Sequence, residues 1–523
     1  MTGDRPPRPG PSPAATGLVA VVATVAALLG IGVRARFGGH VAVDEPQYLL
    51  TALSIFEDFD LDITDELERR RWTPWAGTEA LPVQTEVLAD GTQISPHDPL
   101  LPIILAVPMG LGGWVAAKAA LALMAGALAA LTLWTAVRRF AVPRRLATGG
   151  VLLASASAPL AVYGQQVYPE LPAALAAVAA LAIVTGPAFG RRRDLAAFGL
   201  VITALPWLSV KYVPVAAALA LPGLWRLRAD RRALAALAGG LAAMGAVYLV
   251  VHRLIWGGWT VYASGDHFQE SGEFGVMGFD PDFTGRAVRL VGLMTDRGYG
   301  LAAWQPAWLL LLPAVGYGLW HLRPRNLPTA SPDDSSDGSS GAPLPALPAP
   351  PTAFRSAALL LPLAAGWLTA TFVALTMNGY WWPGRQTVVV LPLALLLILA
   401  FLRDRPRWLH RTGLALGTAG PVTYAWLLAD GYAVRITWVS GFERVGSPLY
   451  QAIRPLLPDY RSGWDAFWPL HLTWALISLL LVAYGTPYLM KGRSHEVDPD
   501  PDDRRGPGPG RRADLRPDGL RRR

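Results

Sequence analysis

The sequence lacks cysteine altogether and contains little charge. Zero cysteines among 523 residues exclude disulfides, thiolate catalysis and zinc–sulfur sites. Charged residues make up 16% of the chain, whereas about 25% is usual for a soluble domain. Lysine occurs only as Lys118, Lys211 and Lys491, and such a bias toward Arg, Ala, Gly and Pro is typical of a GC-rich bacterial genome. An ordinary soluble domain is therefore excluded.

The positive charge of the chain lies in short arginine clusters between uncharged runs. The formal net charge is +8, but its distribution does not indicate a nucleic-acid partner. In membrane proteins the cytoplasmic loops carry an excess of Lys and Arg. The clusters therefore indicate which ends of the apolar runs face the cytoplasm.

Long apolar runs recur along the chain, and a helix needs roughly 20 apolar residues to cross the hydrocarbon. The sequence predicts an all-α polytopic protein of the cell membrane with about twelve transmembrane helices and both termini in the cytoplasm. No cleavable signal is expected, because Arg34 and Arg36 follow the first run without a clear small-residue cleavage site. The expected spans are residues 16–33, 113–137, 146–163, 172–187, two short helices within 195–226, 233–255, 306–322, 352–376, 386–402, 412–428 and 469–490.

Composition divides the chain into a membrane module, a linker and a second group of spans. Residues 323–351 are rich in Pro, Ser, Asp and Gly and have no periodic apolar face, so a flexible cytoplasmic linker is expected. The other predicted units are a disordered tail (1–15), a catalytic membrane module (16–322) with outer loops at 34–99 and 256–305, C-terminal spans (352–490) and a basic disordered tail (491–523).

Two adjacent carboxylates, Asp44 and Glu45, follow the first apolar run at the expected mouth of the membrane. Charges there cost free energy unless water, a cation or a substrate compensates them. Pro46 suits the first position of a helix, and Leu49 and Leu53 follow at helical spacing. The pattern predicts an interfacial helix that begins at the acidic pair. One of the two carboxylates could equally serve only as its cap.

The rest of the first outer loop is acidic. Asp58, Asp60 and Asp62 alternate as in a calcium loop, but Ile63 stands where that loop needs glycine and Arg69 where it needs a bidentate glutamate. A solvated acidic face is expected instead. Residues 89–91 predict a β-hairpin, and residues 100–111 predict a second interfacial helix.

Further motifs fall on the predicted outer turns. The first outer loop ends at His97-Asp98-Pro99, and a Tyr168-Pro169-Glu170 turn lies between the third and fourth spans. Lys211-Tyr212 lies at the tip of the 195–226 hairpin. Residues 377–385 form a further turn, which contains Trp381, Trp382 and Arg385.

The order of these motifs, on one expected face, resembles the GT-C membrane glycosyltransferases, the superfamily of protein mannosyltransferases and lipid A aminoarabinose transferases. The resemblance rests on Asp44-Glu45 with Tyr48, His97 to Pro99, Tyr168 to Glu170, and Lys211-Tyr212. It covers roughly residues 16–322, and the later spans match only loosely. It implies a sugar donor linked to polyprenyl phosphate and transfer on the outer face of the membrane.

The resemblance also implies roles for individual residues. Asp44 would be the catalytic base and Glu45 its partner, since an acceptor hydroxyl needs a base within hydrogen-bond reach. Lys211 and Arg385 would bind the leaving phosphate. The other candidate substrate-binding residues are Tyr48, His97, Tyr168, Glu170, Tyr212, Trp381 and Trp382.

Several of these residues have simpler interpretations. Lys211 could extend to lipid headgroups, His97 could only stabilise its turn, and the two tryptophans could belong to the interfacial aromatic belt instead of stacking on a sugar. Lys118 lies within a span, and its position favours reaching the interface by its stem.

Two other functions compete with a glycosyltransferase. A transporter or lipid-linked sugar flippase would place ionisable residues near the bilayer midplane and often shows internal repeats, whereas here the charges collect at the outer boundary and no repeat is evident. A non-catalytic scaffold of the same fold is the other alternative. The acceptor is open, no metal-binding cluster is evident, and two or three outer carboxylates could hold a divalent ion weakly.

Overall fold

The computed structural model describes residues 10–81, 84, 86–88, 90–260, 282–323, 352–374, 376–461 and 464–486. Within these ranges the regular secondary structure is helical apart from one small hairpin and a few isolated β-bridges, so the all-α prediction is confirmed. Six of the described helices are long and apolar enough to cross a membrane. They are Pro13–Gly30, Leu100–Arg139, Arg231–Trp256, Thr352–Val373, Arg385–Leu402 and Trp468–Gly485.

The first span and its loop contain the elements α1 (Pro13–Gly30), α2 (Glu45–Glu57), α3 (Thr64–Glu68), α4 (Thr73–Ala76), β1 (Glu86–Val87), β2 (Gln93–Ile94) and α5 (Leu100–Arg139). Helix α1 begins at Pro13, so the last residues of the predicted disordered tail are helical, and residues 1–9 lie outside the described part. The predicted helix at the acidic pair is α2. The hairpin is also confirmed, since β1 and β2 pair antiparallel around Asp90 and Gly91.

Helix α5 joins two elements that the sequence suggested separately. The predicted interfacial helix at 100–111 and the predicted span at 113–137 form one helix with a kink at Gly112 and Gly113. Gly113 has φ 63° and ψ −162°, a backbone conformation open essentially to glycine alone. Before the kink Gly110 lies against Phe56 of α2, and after it Gly126 lies against Ala20 and Thr24 of α1.

The middle of the chain contains α6 (Arg144–Ser155), α7 (Leu160–Tyr163), α8 (Glu170–Val184), α9 (Arg192–Leu208), α10 (Val213–Arg226) and α11 (Arg231–Trp256). The predicted hairpin of two short helices is confirmed. Ser209 is extended and ends α9, and a 3-10 turn, Val210–Tyr212, leads into α10. Lys211 therefore lies at the tip of this hairpin.

The remaining helices are α12 (Phe283–Ala287), α13 (Arg289–Thr295), α14 (Leu301–Trp304), α15 (Leu311–His321), α16 (Thr352–Leu368), α17 (Leu391–Leu402), α18 (Arg407–Tyr432), α19 (Pro448–Ile453) and α20 (Trp464–Gly485). A 3-10 segment, Arg385–Val390, leads into α17. Most of the predicted linker (324–351), part of the second loop (261–281) and the C-terminal tail (487–523) lie outside the described residues.

Two kinds of helix surface show how the bundle is organised. Every residue of α17 is buried, which places this helix at the centre. By contrast, α1 and α11 expose large apolar side chains such as Leu18, Val21 and Leu254. Exposed apolar faces on long helices are what a surrounding lipid phase requires. The chain is therefore a multi-pass membrane protein.

Candidate functional site

Four charged side chains from separate parts of the chain meet in one cluster, which we call the ion-pair cluster: Asp44, Glu170, Lys211 and Arg385. Lys211 Nζ lies 2.7 Å from Glu170 Oε1, and Arg385 Nε lies 2.9 Å from the same oxygen. Arg385 Nη2 lies 3.0 Å from Asp44 Oδ2. The cluster forms because the segment Arg385–Val390 packs on α8, which begins at Glu170.

The members of the ion-pair cluster differ in exposure. The side chains of Glu170 and Arg385 are 1% and 8% exposed, whereas those of Asp44 and Lys211 are 17% and 18% exposed. Glu170 is thus the buried partner of both cations. Its second oxygen, Oε2, is also buried and accepts no hydrogen bond from the described residues. Asp44 and Lys211 are the members that a substrate could contact.

Asp44 does not act as a helix cap. It precedes α2 but makes no capping hydrogen bond through its side chain, and its carboxylate points to Arg385 instead. Burial disfavours the charged form of Asp44, but Arg385, then His97 and Lys211, outweigh this effect and lower its pKa below the usual value. Asp44 is therefore ionised at neutral pH.

Glu45 is directed away from the ion-pair cluster into the protein. Its two oxygens accept hydrogen bonds from the backbone N–H groups of Ala42 and Val167, each at 2.8 Å. The side chain is 0% exposed and pairs with Lys118 Nζ at 3.3 Å. These contacts fix the start of α2 against the turn before α8, so Glu45 positions its neighbour Asp44.

The prediction that Lys118 reaches the membrane interface is wrong. Its side chain is completely buried, and its ammonium group donates to the carbonyl of His40 at 2.8 Å and lies 3.3 Å from both Glu45 and Gln165. The buried carboxylate of Glu45 supplies the reason, because an ammonium group inside a protein requires a charged or polar partner.

The two predicted tryptophans occupy different environments. Trp381 is partly exposed, and the Arg385 guanidinium carbon lies 5.3 Å from its ring centroid. Trp382 is 0% exposed and packs against the rings of Trp304, Trp438 and Phe442. Trp382 can therefore neither stack on a sugar nor lie in a lipid-facing belt, which corrects both interpretations for this residue.

Two predicted tyrosines pack against members of the ion-pair cluster, and a third stacks on His97. Tyr168 is 0% exposed, and its ring centroid lies 3.9 Å from the guanidinium carbon of Arg385. Tyr48 is buried and stacks on His97 with the ring centroids 4.4 Å apart. Tyr212 is buried with its ring 5.2 Å from Lys211 Nζ. Burial of all three leaves them as supports of the charged residues and not as open contact surfaces.

Sequence reasoning missed Asp98 as a structural centre. Its carboxylate accepts hydrogen bonds at 2.9 Å from the hydroxyl of Tyr248 and from the backbone N–H of Val210, and His252 Nε2 also lies at 2.9 Å. These contacts tie the end of the first loop to α11 and to the hairpin tip beside Lys211. The sequence offered Asp98 only as part of a turn motif, and nothing in it indicated partners on α11.

A second acidic group lies at the other end of α2. Within the described residues, Glu57, Asp58 and Glu66 form the one group of metal-ligating side chains whose donor atoms all lie within 4.8 Å of one another. The prediction of a solvated acidic face is wrong for Glu66, which is 1% exposed. Burial, and after it the carboxyl group of Asp65, raises the pKa of Glu66 to about 8.

Two crystal structures of one protein are among the solved structures that match the chain. No family model matches the chain, and no curated protein matches it. The crystal structure of ArnT from Cupriavidus metallidurans bound to undecaprenyl phosphate is 17% identical, with a TM-score of 0.44 over 90% of this chain and 74% of that chain. The apo structure of the same protein is 16% identical, with a TM-score of 0.45 over 90% and 75%.

Proposed function

We propose that the chain is a GT-C-type membrane glycosyltransferase, which transfers a sugar from a polyprenyl-phosphate donor to an acceptor hydroxyl on the outer face of the membrane. The observation that carries this proposal is the ion-pair cluster. It presents an ionised, partly exposed Asp44 beside two cations that Glu170 holds in place. A base next to a phosphate-binding pair is what glycosyl transfer from a lipid phosphate needs.

Asp44 is the proposed general base. The acceptor hydroxyl oxygen forms the new bond to the anomeric carbon, the bond from that carbon to the phosphate oxygen breaks, and the hydroxyl proton passes to Asp44. The phosphate leaves with the electron pair. Asp44 suits this step because it is ionised and has one of the more exposed side chains of the cluster.

The ion-pair cluster becomes more positive during the proposed reaction, as the leaving phosphate becomes more negative. Two carboxylates and two cations sum to zero in the resting cluster. Once Asp44 has accepted a proton, the cluster carries one net positive charge. The phosphate gains one negative charge as its ester bond to the sugar breaks, so Lys211 and Arg385 stabilise it as it leaves.

The distribution of arginines supports the proposed orientation. Arg138 and Arg139 lie at the C-terminal end of α5, and Arg192 and Arg193 lie at the N-terminal end of α9. In both helices the opposite end is the one nearer to the ion-pair cluster. By the positive-inside rule the ends that carry the arginines face the cytoplasm. The cluster then faces outward, and the start of α1, where Gly10 lies beside Arg138, faces the cytoplasm.

The test is release of sugar from a set of polyprenyl-phosphate sugars by the purified protein. Asp44→Asn keeps the shape of the side chain and should lower the rate by about 10²–10⁴. Lys211→Met should weaken donor binding by roughly ten- to a hundredfold, because a charge-assisted bond to phosphate is lost. Arg69→Gln, on the exposed surface of the first loop, is the matched control and should behave as wild type.

Other outcomes would support the competing functions. A well-folded Asp44→Asn protein with wild-type rate would remove the base assignment. Movement of the intact lipid-linked sugar across a vesicle bilayer without its cleavage would support a flippase. Donor binding without either activity would support a non-catalytic scaffold.

A further inference from the structure

The first loop contains a group of acidic side chains that glycosyl transfer does not use. Glu57 and Asp58 end α2, and Glu66 lies on α3. One carboxylate oxygen from each can be chosen so that all three lie within 4.8 Å of one another. Acidic groups at a surface are common, so this proximity alone does not indicate a ligand.

The state of Glu66 is a second and independent observation. Glu66 is 1% exposed, yet neither of its carboxylate oxygens has a hydrogen-bond partner among the described residues. A buried carboxyl group without a partner is costly in its ionised form, and either a proton or a bound cation relieves that cost. One of the Glu66 oxygens lies within 4.8 Å of an oxygen of Glu57 and of an oxygen of Asp58.

We propose that Glu57, Asp58 and Glu66 bind a divalent cation, and that this cation is Ca²⁺. Three carboxylates provide only hard oxygen ligands, which suit Ca²⁺, Mg²⁺ and Mn²⁺ and not the softer metals. Ca²⁺ accepts irregular geometry and completes its coordination with water, for which the exposed side of Glu57 and Asp58 leaves access. Mg²⁺ demands near-octahedral geometry and gives up its own waters reluctantly.

The neighbouring charges fit one divalent ion. Arg71 pairs with Glu57 through two contacts, at 2.9 and 3.1 Å, and thereby orients that carboxylate. With Glu66 protonated, Glu57, Asp58 and Arg71 together carry one net negative charge, and a cation that displaces the proton of Glu66 meets two. Asp65, next to Glu66, is already paired with Arg69 at 2.7 Å.

The site would fasten the loop to the end of α2 that is remote from Asp44. Helix α2 has 13 residues, so its two ends lie about 20 Å apart. The cation is thus distinct from the ion-pair cluster. At the C-terminal end of a helix a cation is also stabilised by the helix dipole.

Thermal unfolding of the purified protein provides the test. After removal of metal with EDTA, CaCl₂ is titrated against NaCl of matched ionic strength, and MgCl₂ is compared. We expect the unfolding temperature to rise with Ca²⁺, with half-saturation at about 0.1–1 mM, as in extracellular calcium modules. Glu66→Gln should lower the Ca²⁺ affinity at least about tenfold, whereas Glu68→Gln, an exposed position on the same helix, should retain the rise.

Two further variants make the outcome decisive. Asp58→Asn changes an exposed ligand and should weaken binding even if Glu66→Gln folds poorly. Asp44→Asn should keep the full response, because the ion-pair cluster is a separate site. Absence of any Ca²⁺ response beyond that of NaCl would overturn the proposal, and so would a response that survives both Glu66→Gln and Asp58→Asn. These results do not depend on sugar transfer, so they leave the proposed function to its own test.

Discussion

Arg385 is the residue that determines the electrostatics of the candidate site. Its guanidinium contacts Glu170 at 2.9 Å and Asp44 at 3.0 Å, and its central carbon lies over the ring of Tyr168. Because a guanidinium is planar and has donors on several edges, it can bind two carboxylates at once. A lysine at this position could provide the charge but not the same geometry.

Removal of Arg385 should make the transfer rate sensitive to mild acid. Burial raises the pKa of Asp44 and Arg385 lowers it, with a net result below 3.8. Asp44 is therefore ionised at both pH 5 and pH 7 in the wild type, and its protonation should not change the transfer rate between these two values. In Arg385→Gln the effect of burial remains, the pKa of Asp44 rises, and the ratio of the rate at pH 5 to that at pH 7 should fall.

The pH ratio within each variant separates this effect from weaker phosphate binding, which changes both rates together. Arg69→Gln provides the control and should keep the wild-type ratio. An unchanged ratio in Arg385→Gln would show that Arg385 does not set the protonation of the base.

Lys118 and Glu45 form the second charged pair of importance, and both are completely buried. Removing one member should reduce the free energy of unfolding by about 3–5 kcal/mol, because the other charge is left buried without its partner. Lys118→Met combined with Glu45→Gln should be less destabilised than the sum of the single changes. Chemical unfolding in detergent, analysed as a double-mutant cycle, measures this coupling.

The exposed pair of Arg69 and Asp65 is the matched control for this cycle. Its coupling should be about 0–1 kcal/mol, since surface ion pairs contribute little. Additive effects of Lys118→Met and Glu45→Gln would contradict the assignment of a buried, mutually dependent pair. The cycle also shows whether low activity in Glu45→Gln reflects lost catalysis or lost folded protein.

Among the secondary-structure elements, the kink of α5 is the one that most directly shapes the surroundings of α2. Gly113 has a positive φ of 63° at the kink. Gly113→Ala should destabilise the protein by about 1–3 kcal/mol, because an L side chain strains this backbone conformation. Thermal unfolding measures the loss.

Gly239→Ala is the control for the kink. Gly239 lies in α11 with no atom within 4 Å of an added Cβ and with an ordinary helical backbone. This change should be neutral or should stabilise the protein by about 0.5–1 kcal/mol. Equal losses at both positions would mean that the kink is not strained against alanine.

At the scale of the whole molecule, the orientation in the membrane can be tested because the chain has no cysteine. Single cysteines at Glu68 and Arg228, both exposed, would report on the first loop and on the turn between α10 and α11. In intact cells an impermeant thiol reagent should label Glu68→Cys and leave Arg228→Cys unlabelled until lysis. The cysteine-free protein is the blank, and the reverse pattern would invert the proposed topology.

Much of the helical framework could be predicted from the sequence because its signals are local. Long apolar runs, Pro46 at a helix start, and the position of Lys211 between two short helices all depend on residues close together in the chain. The sequence also predicted separate helices at 100–111 and 113–137. The structure instead has one helix with a kink at Gly112 and Gly113.

The tertiary structure alone decided which charged residues meet. Asp44 and Arg385 are separated by 341 positions, and Asp98 and His252 by 154, and no local pattern encodes such pairs. The same reason explains why the sequence did not predict the burial of Lys118 and Trp382. Lysine and tryptophan are common at membrane interfaces, but here neighbours from distant parts of the chain bury both side chains. The sequence by itself determined a helical membrane protein with candidate charged motifs. Only packing decided that Asp44 is paired and partly exposed while Glu45 is buried, because burial depends on neighbours that the chain brings from far away.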